Sequence, residues 1–500
     1  MSTSEEWPRA RARTFGVELE FIVVWIWDDE LDPHPDLASD LPPILKLPSH
    51  LRESGVSKIS IDNAVYDRIY DVLADHGLPT HRSAAHRAED EFRVWRLKLD
   101  TSINLEGDVK WTGIEMTSPA ESALPVAFSA IRYAVDLIRS TYRTAVNGSC
   151  GFHVHVGDGR EQMPLEHVKR VASLFWAVDP VVALLHPPQR RISFYSQSIR
   201  DRSPLARGNK IADVLTDAVH QEEHNCELYI GRGMRHGEHP ISWRIKYQRD
   251  EHVEAFEETR KPDCFQPFFC KDTRGLPVGI LTSIETEPAP KLHKSETETR
   301  IKKVIKTTND SKANPFIKPY SPIHKRFTPR FVSGEPLPDV RYKNIDLDEK
   351  AKTDIGVFAG VNEIFACHSS CVILFLLETE ERSNYNLFRY KCYNLIDPGN
   401  VAPTIEFREA TGTLSGEWVE IWARICVGLT NFAIHAPVEN YLSVLNNLEL
   451  AASGEAPYDV VDLLDEIGLF AEAAFAEKRL MKYKDEWDLH YAPEGENKPL

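Results

Sequence analysis

Strict alternation of apolar and polar positions marks four short stretches of this chain. In Ser149-Cys150-Gly151-Phe152-His153-Val154-His155-Val156-Gly157, three apolar side chains fall on one side and His153 and His155 on the other. A strand has a side-chain period of two, so both imidazoles share one face. One such strand alone is equally a half-exposed strand with incidental histidines. Gly16-Val17-Glu18-Leu19-Glu20-Phe21 repeats the pattern and places Glu18 and Glu20 together. Gly113 to Pro119 places Glu115 with Thr117, and Thr404 to Arg408 places Glu406 with Arg408. Phe15 to Trp27 is apolar on both sides beyond Glu20, the mark of a central strand.

Between these strands the period lengthens to that of helices. Asp62 is read as the cap of a helix carrying Val65, Ile69, Val72 and Leu73, with Gly77 just past its end. Phe92 to Leu99 reads as a strand with Trp95, Leu97 and Leu99 on one face. It leads into Asp100-Thr101-Ser102, the composition of an Asx turn. Ser118-Pro119-Ala120-Glu121 has the form of a capping box, with Pro125 a second starting point for a helix to about Thr141. Pro164 to Leu185 is helical with a break at Pro180, and ends in Arg190-Arg191. Ile355 to Leu377 reads as a helix, Trp418 to Ile434 as an amphipathic one, and Val460 to Phe470 with Ala471 to Tyr483 as a final pair.

The alternation gives way between residues 201 and 345. Charge runs such as Lys291 to Lys306, and prolines through Ala313 to Pro338, read as a partly disordered insertion. The expected organisation is a disordered start (1–12), a catalytic domain in two halves (13–200 and 346–440) around the insertion, and C-terminal helices (441–500). The fold class expected is α+β, with a curved, mainly antiparallel sheet and helices on its outer face.

Composition narrows the function classes. A formal charge of −17 argues against a general nucleic-acid or anionic-membrane binder. No run approaches the ~20 apolar residues of a membrane span. Met1 to Arg13 lacks the apolar core of a secretory signal. Eight scattered cysteines form no framework, and Cys367-His368 with Cys371 sits in an apolar run that suits buried structural thiols. A cytosolic or nuclear setting is expected.

An ordinary wet sheet face carries Lys, Thr and Ser; this one carries carboxylate pairs. Like charges two apart on a strand repel unless a cation neutralises them. Four carboxylates and two histidines therefore suggest a divalent-metal site with mostly hard ligands. On repulsion alone, Glu18→Gln should leave the metal-free protein as stable or slightly more so. No GxxxxGK[ST] and no glycine-rich dinucleotide turn is present.

The set ELE, IEMTSP, CGFHVHVG and IEFREATGTL resembles the amidoligase family of carboxylate–amine ligases, related to glutamine synthetase and glutamate–cysteine ligase. The resemblance covers roughly residues 13–200 and 355–435. It implies a glutamine-synthetase-like sheet and an ATP-dependent ligase that forms amide or peptide bonds through an acyl phosphate. It implies Glu18, Glu20, Glu115, His153 and Glu406 as ligands of Mg²⁺ or Mn²⁺. Arg408, Arg389, Arg191 and His153 would hold ATP, and Glu115, His155 and Arg408 would be catalytic. The other reading of Arg191 is a solvated basic helix end. The partners implied are a small-molecule, peptide or protein carboxylate and an amine. A metal-dependent hydrolase and a non-catalytic scaffold of the same fold remain alternatives.

Overall fold

The computed structural model describes residues 13–35, 41–53, 57–80, 92–105, 107, 109–159, 163–191, 193, 195–211, 213–214, 326–329, 354–367, 370–378, 383–386, 404–487 and 489–492. The chain groups into two compact units: Met1–Gly159 with Gly412–Val427, and Arg160–Thr411 with Gly428–Leu500. Both combine helices with antiparallel strands, an α+β composition. Residues 1–12 and Lys291 to Lys312 lie outside the described residues.

The first unit is built on β1 (Thr14–Trp27). Its partners are β2 (Leu45–Leu47), β4 (Trp111–Thr117), β5 (Glu121–Ser122), β6 (Thr144–Ala145) and β7 (Gly151–Gly157). β3 (Arg96–Lys98) adds to the far side of β4, so the order runs β3-β4-β1-β7. Every pairing is antiparallel except β1 with β2. Val17, Leu19, Phe21, Ile114, Met116, Phe152, Val154 and Val156 form a fully buried face. It belongs to the helix side: Phe15 stacks on Phe128 of α2 (Pro125–Thr141) at 4.3 Å. On the same side Thr112 Oγ1 donates to Asp62 of α1 (Lys58–Asp75) at 2.9 Å.

Two local expectations fail here for tertiary reasons. The cap of α1 is Ser57, whose hydroxyl accepts from Ser60 N; Asp62 is buried inside the helix, occupied by Thr112. Ser118 does not open a helix, because its hydroxyl accepts from Val17 N at 2.9 Å and keeps the chain extended into β5. The helix starts at Pro125 instead. β3 is shorter than the expected Phe92 to Leu99: Trp95 and Leu97 are buried, whereas Leu99 is 46% exposed. Gly77 does close α1, at φ +76°, with Leu78 N donating to Leu73 O.

The second unit centres on α3 (Leu165–Val182), buried almost all round. Pro180 does not break it. The proline has no N–H for the Trp176 carbonyl, which accepts instead from Arg200 Nη1 at 3.5 Å. Two buried cations on α3 satisfy helix-end carbonyls: Lys169 donates to Phe365 O, and Arg170 to Ala433 O and Ala436 O. Phe365 ends α5 (Val357–Ala366), after α4 (Pro188–Arg191). Cys367 follows, so the expected single helix from Ile355 is two, the second being α6 (Ser370–Leu377). Cys367 is buried, and burial pushes its thiol well above the usual cysteine range, which suits a structural role.

The strands of this unit are β9 (Tyr385–Asn386) with β10 (Thr404–Thr411), and a ribbon of β8 (Arg326–Pro329) with β11 (Leu489–Ala492). Helix α7 (Gly416–His435) contributes to both units, and α8 (Val438–Ala452) is one the periodicity reading missed. The final pair is α9 (Val460–Glu466) and α10 (Phe470–Tyr483), parted at Gly468, whose φ of +83° ends the first. Among the described residues no helix is long and apolar enough to cross a membrane.

Candidate active site

Register decides which side chains of the first unit meet. Glu18 lies opposite His153 on β7 and Thr117 on β4; Glu20 lies opposite Glu115; Gly16 lies opposite His155. Paired residues of adjacent strands share a face. Glu18, Glu20, Glu115, His153 and His155 therefore stand together on the face away from the helices. The two oxygens of Glu18 are each met by an imidazole, His153 Nδ1 at 3.4 Å from Oε2 and His155 Nε2 at 3.2 Å from Oε1. The other nitrogen of His153 is 3.8 Å from Glu20 Oε1. Glu20 Oε2 accepts from Gly151 N at 2.5 Å, which ties β1 to the start of β7. An apolar cluster of Ile22, Ile103 and Cys150 closes one end of this face.

The carboxylates differ in environment. Burial would raise the Glu18 carboxyl, but His155 and His153 more than offset it and hold it well below the usual range. Glu115 is shifted the other way: burial raises it, Glu18 adds to the rise, and Lys98 only partly counters. Repulsion from the neighbouring carboxylates shows in the Glu115 shift. The expectation that Glu18 is itself a repelled charge is corrected by its two imidazoles.

Lys98 is the residue the sequence reading missed. It lies opposite Glu115 in the β3–β4 register, with Nζ 3.0 Å from Oε1. Its signal was present in the strand read over Phe92 to Leu99, which places Arg96 and Lys98 on the face opposite Leu97; the pairing of that strand with β4 was not. Asp100 accepts from Ser102 N at 2.7 Å, the Asx turn that follows β3.

The second unit holds Glu406 and Arg408, on one face of β10, joined in an ion pair. Asn386 Nδ2 donates to the other Glu406 oxygen at 2.9 Å, and Arg408 Nε donates to Tyr195 O at 3.2 Å. The opposite face, Phe407 and Glu409, is buried. Asn384 clamps it: Nδ2 donates to Glu409 at 2.9 Å, while Oδ1 accepts from Ile199 N and Tyr385 N. Arg190, buried, donates to Arg408 O at 3.0 Å. A cavity of about 10 Å³, lined by Asp179, His186, Arg190, Asn384 and Glu409 among others, lies behind the strand. Burial, with Arg479 and Arg190 nearby, holds His186 well below the usual histidine range. Arg191 is in α4, but its side chain lies outside the described residues, as does Arg389.

A sheet face of carboxylates and imidazoles defines a candidate ionic, hard-ligand site. Residues 11–221 match the model of the family described as "Putative amidoligase enzyme". The match supports, for this part of the chain, the family read from its motifs, and with it a ligase-type function. No curated protein and no solved structure matches the chain.

Proposed function

We propose that the chain is an ATP-dependent carboxylate–amine ligase, and that its carboxylate–imidazole face binds the divalent metal and nucleotide. The observation that carries this is the convergence of Glu18, Glu20, Glu115, His153 and His155 on one sheet face inside the family-matched segment. Three carboxylates with imidazoles fit a hard divalent cation such as Mg²⁺ or Mn²⁺. Glu18, Glu20, Glu115 and His153 would hold it, with Glu406 added on the strength of its motif. The metal would supply charge neutralisation for a triphosphate. The antiparallel pairing and the helices on one face favour a sheet of the glutamine-synthetase kind.

The proposed reaction begins with a substrate carboxylate oxygen attacking the γ-phosphorus of ATP, which releases ADP and leaves an acyl phosphate. An amine nitrogen then attacks the acyl carbon, phosphate departs, and an amide remains. Arg408, oriented by Glu406 and the Tyr195 carbonyl, would stabilise charge on the transferring phosphoryl. Arg191 and Arg389 are further candidates for holding the nucleotide by resemblance. His155 would take the proton of the attacking amine, with Glu115 as the neighbouring acid–base group. The substrates would be a small-molecule, peptide or protein carboxylate and an amine, in a cytoplasmic setting.

Hydroxylamine is a general amine that intercepts acyl phosphates. With ATP, Mg²⁺ and pooled amino acids or peptides, the protein should form acyl hydroxamate, with ADP equal to the hydroxamate plus any amide formed with amines of the pool. ADP formation with no hydroxamate under any carboxylate pool, alongside phosphate release from water attack, would make the protein a hydrolase instead.

A further inference from the structure

Among the described strands β3 ends the sheet on the side of β4, and its three residues alternate. Leu97 turns to the helix side, where its N–H donates to Tyr70 Oη at 2.8 Å. Arg96 and Lys98 share the opposite face, across from Thr117 and Glu115. A sheet edge beside a cluster of three carboxylates thus presents cations to it. Lys98 is in contact with Glu115 while 44% of its own side chain remains open to water. An ion pair this open to solvent is weak. Lysine carries its charge on a flexible four-carbon stem and can redirect it without moving the strand.

We propose that Lys98 is the exchangeable counter-ion of this site: it competes with a divalent cation for Glu115 and, once displaced, binds the oxyanion that arrives with the cation. The inference rests on the metal-binding reading of Glu115. Its consequence is selectivity. A bare cation must displace Lys98 and leaves an ammonium beside a newly occupied cationic centre. A cation that arrives with a polyphosphate or carboxylate gives the ammonium an oxyanion partner. The site therefore takes the cation–anion pair in preference to the cation alone. Lys98 contributes specificity for an anionic ligand, and it does so from the rim, where the ligand enters.

The test is Mn²⁺ binding to the full chain, by calorimetry or by loss of the free-ion paramagnetic resonance signal. Wild type, Lys98→Gln, Lys98→Arg and Glu115→Gln are each titrated with Mn²⁺ alone, with Mn²⁺ and tripolyphosphate, and with Mn²⁺ and succinate. Lys98→Gln should bind Mn²⁺ alone about threefold more tightly, because the competing charge is gone. It should bind one of the two Mn²⁺–anion pairs about tenfold more weakly, the scale of a charge-assisted contact. Loss confined to tripolyphosphate assigns Lys98 to the nucleotide; loss confined to succinate assigns it to the carboxylate substrate. Lys98→Arg, which keeps the charge, should stay near wild type in both arms. Unchanged affinities in Lys98→Gln, with wild type binding Mn²⁺ normally, overturn the counter-ion role and leave the metal site standing. No Mn²⁺ binding by wild type overturns the metal reading itself, and this proposal with it.

Discussion

His153 bridges two carboxylates, with Nδ1 3.4 Å from Glu18 Oε2 and Nε2 3.8 Å from Glu20 Oε1. The bridge follows from register: Glu18 and His153 are direct partners across β1 and β7, and Glu20 is two residues further along β1. With His155 on the second oxygen of Glu18, both oxygens of this carboxylate face imidazole nitrogens, which hold its carboxyl well below the usual range.

Glu18→Gln should therefore destabilise the metal-free protein by about 1 kcal/mol, since it removes the carboxylate charge and leaves one imidazole nitrogen facing an amide NH2 instead of an acceptor. The melting temperature without metal should fall by a few degrees. A rise would mean that the imidazoles do not compensate Glu18.

Glu115→Gln should act in the opposite direction. Burial and Glu18 raise the Glu115 carboxyl, so its charge is a cost to the folded state that Lys98 only partly offsets. The metal-free variant should melt about 1–2 °C higher than wild type at neutral pH. Differential scanning calorimetry of the two variants side by side gives both signs in one experiment.

His186 sets a pH dependence in the second unit. Its folded-state value is held well below the ordinary 6.5 by burial, then by Arg479 and Arg190. The unfolded chain therefore binds a proton near pH 6.5 that the folded chain refuses. Stability is full above pH 6.5 and falls as pH drops toward the depressed folded value. Glu409 Oε2, 3.9 Å away, is beyond hydrogen-bond reach and does not reverse this. His186→Gln should flatten the urea-unfolding free energy between pH 6.5 and 5, where wild type should show a positive slope.

Asn384→Ala should cost about 3 kcal/mol. It strips one hydrogen bond from the buried Glu409 and leaves the Ile199 and Tyr385 amides without their acceptor. The Asn384 carbonyl also sits beside β10, where it accepts from Arg408 N at 2.8 Å. The variant should lose hydroxamate formation even at temperatures where circular dichroism shows it folded, because Glu409, next to Arg408 on β10, loses the side chain that clamps the strand.

Much of the fold was legible because period-two alternation is a local signal. Gly16 to Phe21, Gly113 to Thr117, Gly151 to Gly157 and Thr404 to Arg408 all lie in strands, and their ionisable residues share faces as the alternation requires. What escaped depended on partners distant in sequence. Asp62 has the chemistry of a cap, but Thr112 takes it into the core. Ser118 has the chemistry of a capping box, but Val17 takes its hydroxyl. Lys98 falls in a strand the alternation did reveal, but its partner across the sheet is 17 residues away; Asn384 precedes a strand of only two residues, below the length at which a period can be read. Only the register of β3 with β4 and the pairing of β9 with β10 reveal what they face.

The most direct test of the metal–nucleotide site is the thermal shift of wild type and Glu18→Gln with Mg²⁺, with ATP, and with both. Ligand that binds only the folded state raises the melting temperature by mass action. Wild type should gain more from Mg²⁺ and ATP together than from either alone, and Glu18→Gln should lose most of that gain. A full Mg²⁺–ATP shift retained by Glu18→Gln would contradict the site at its first residue.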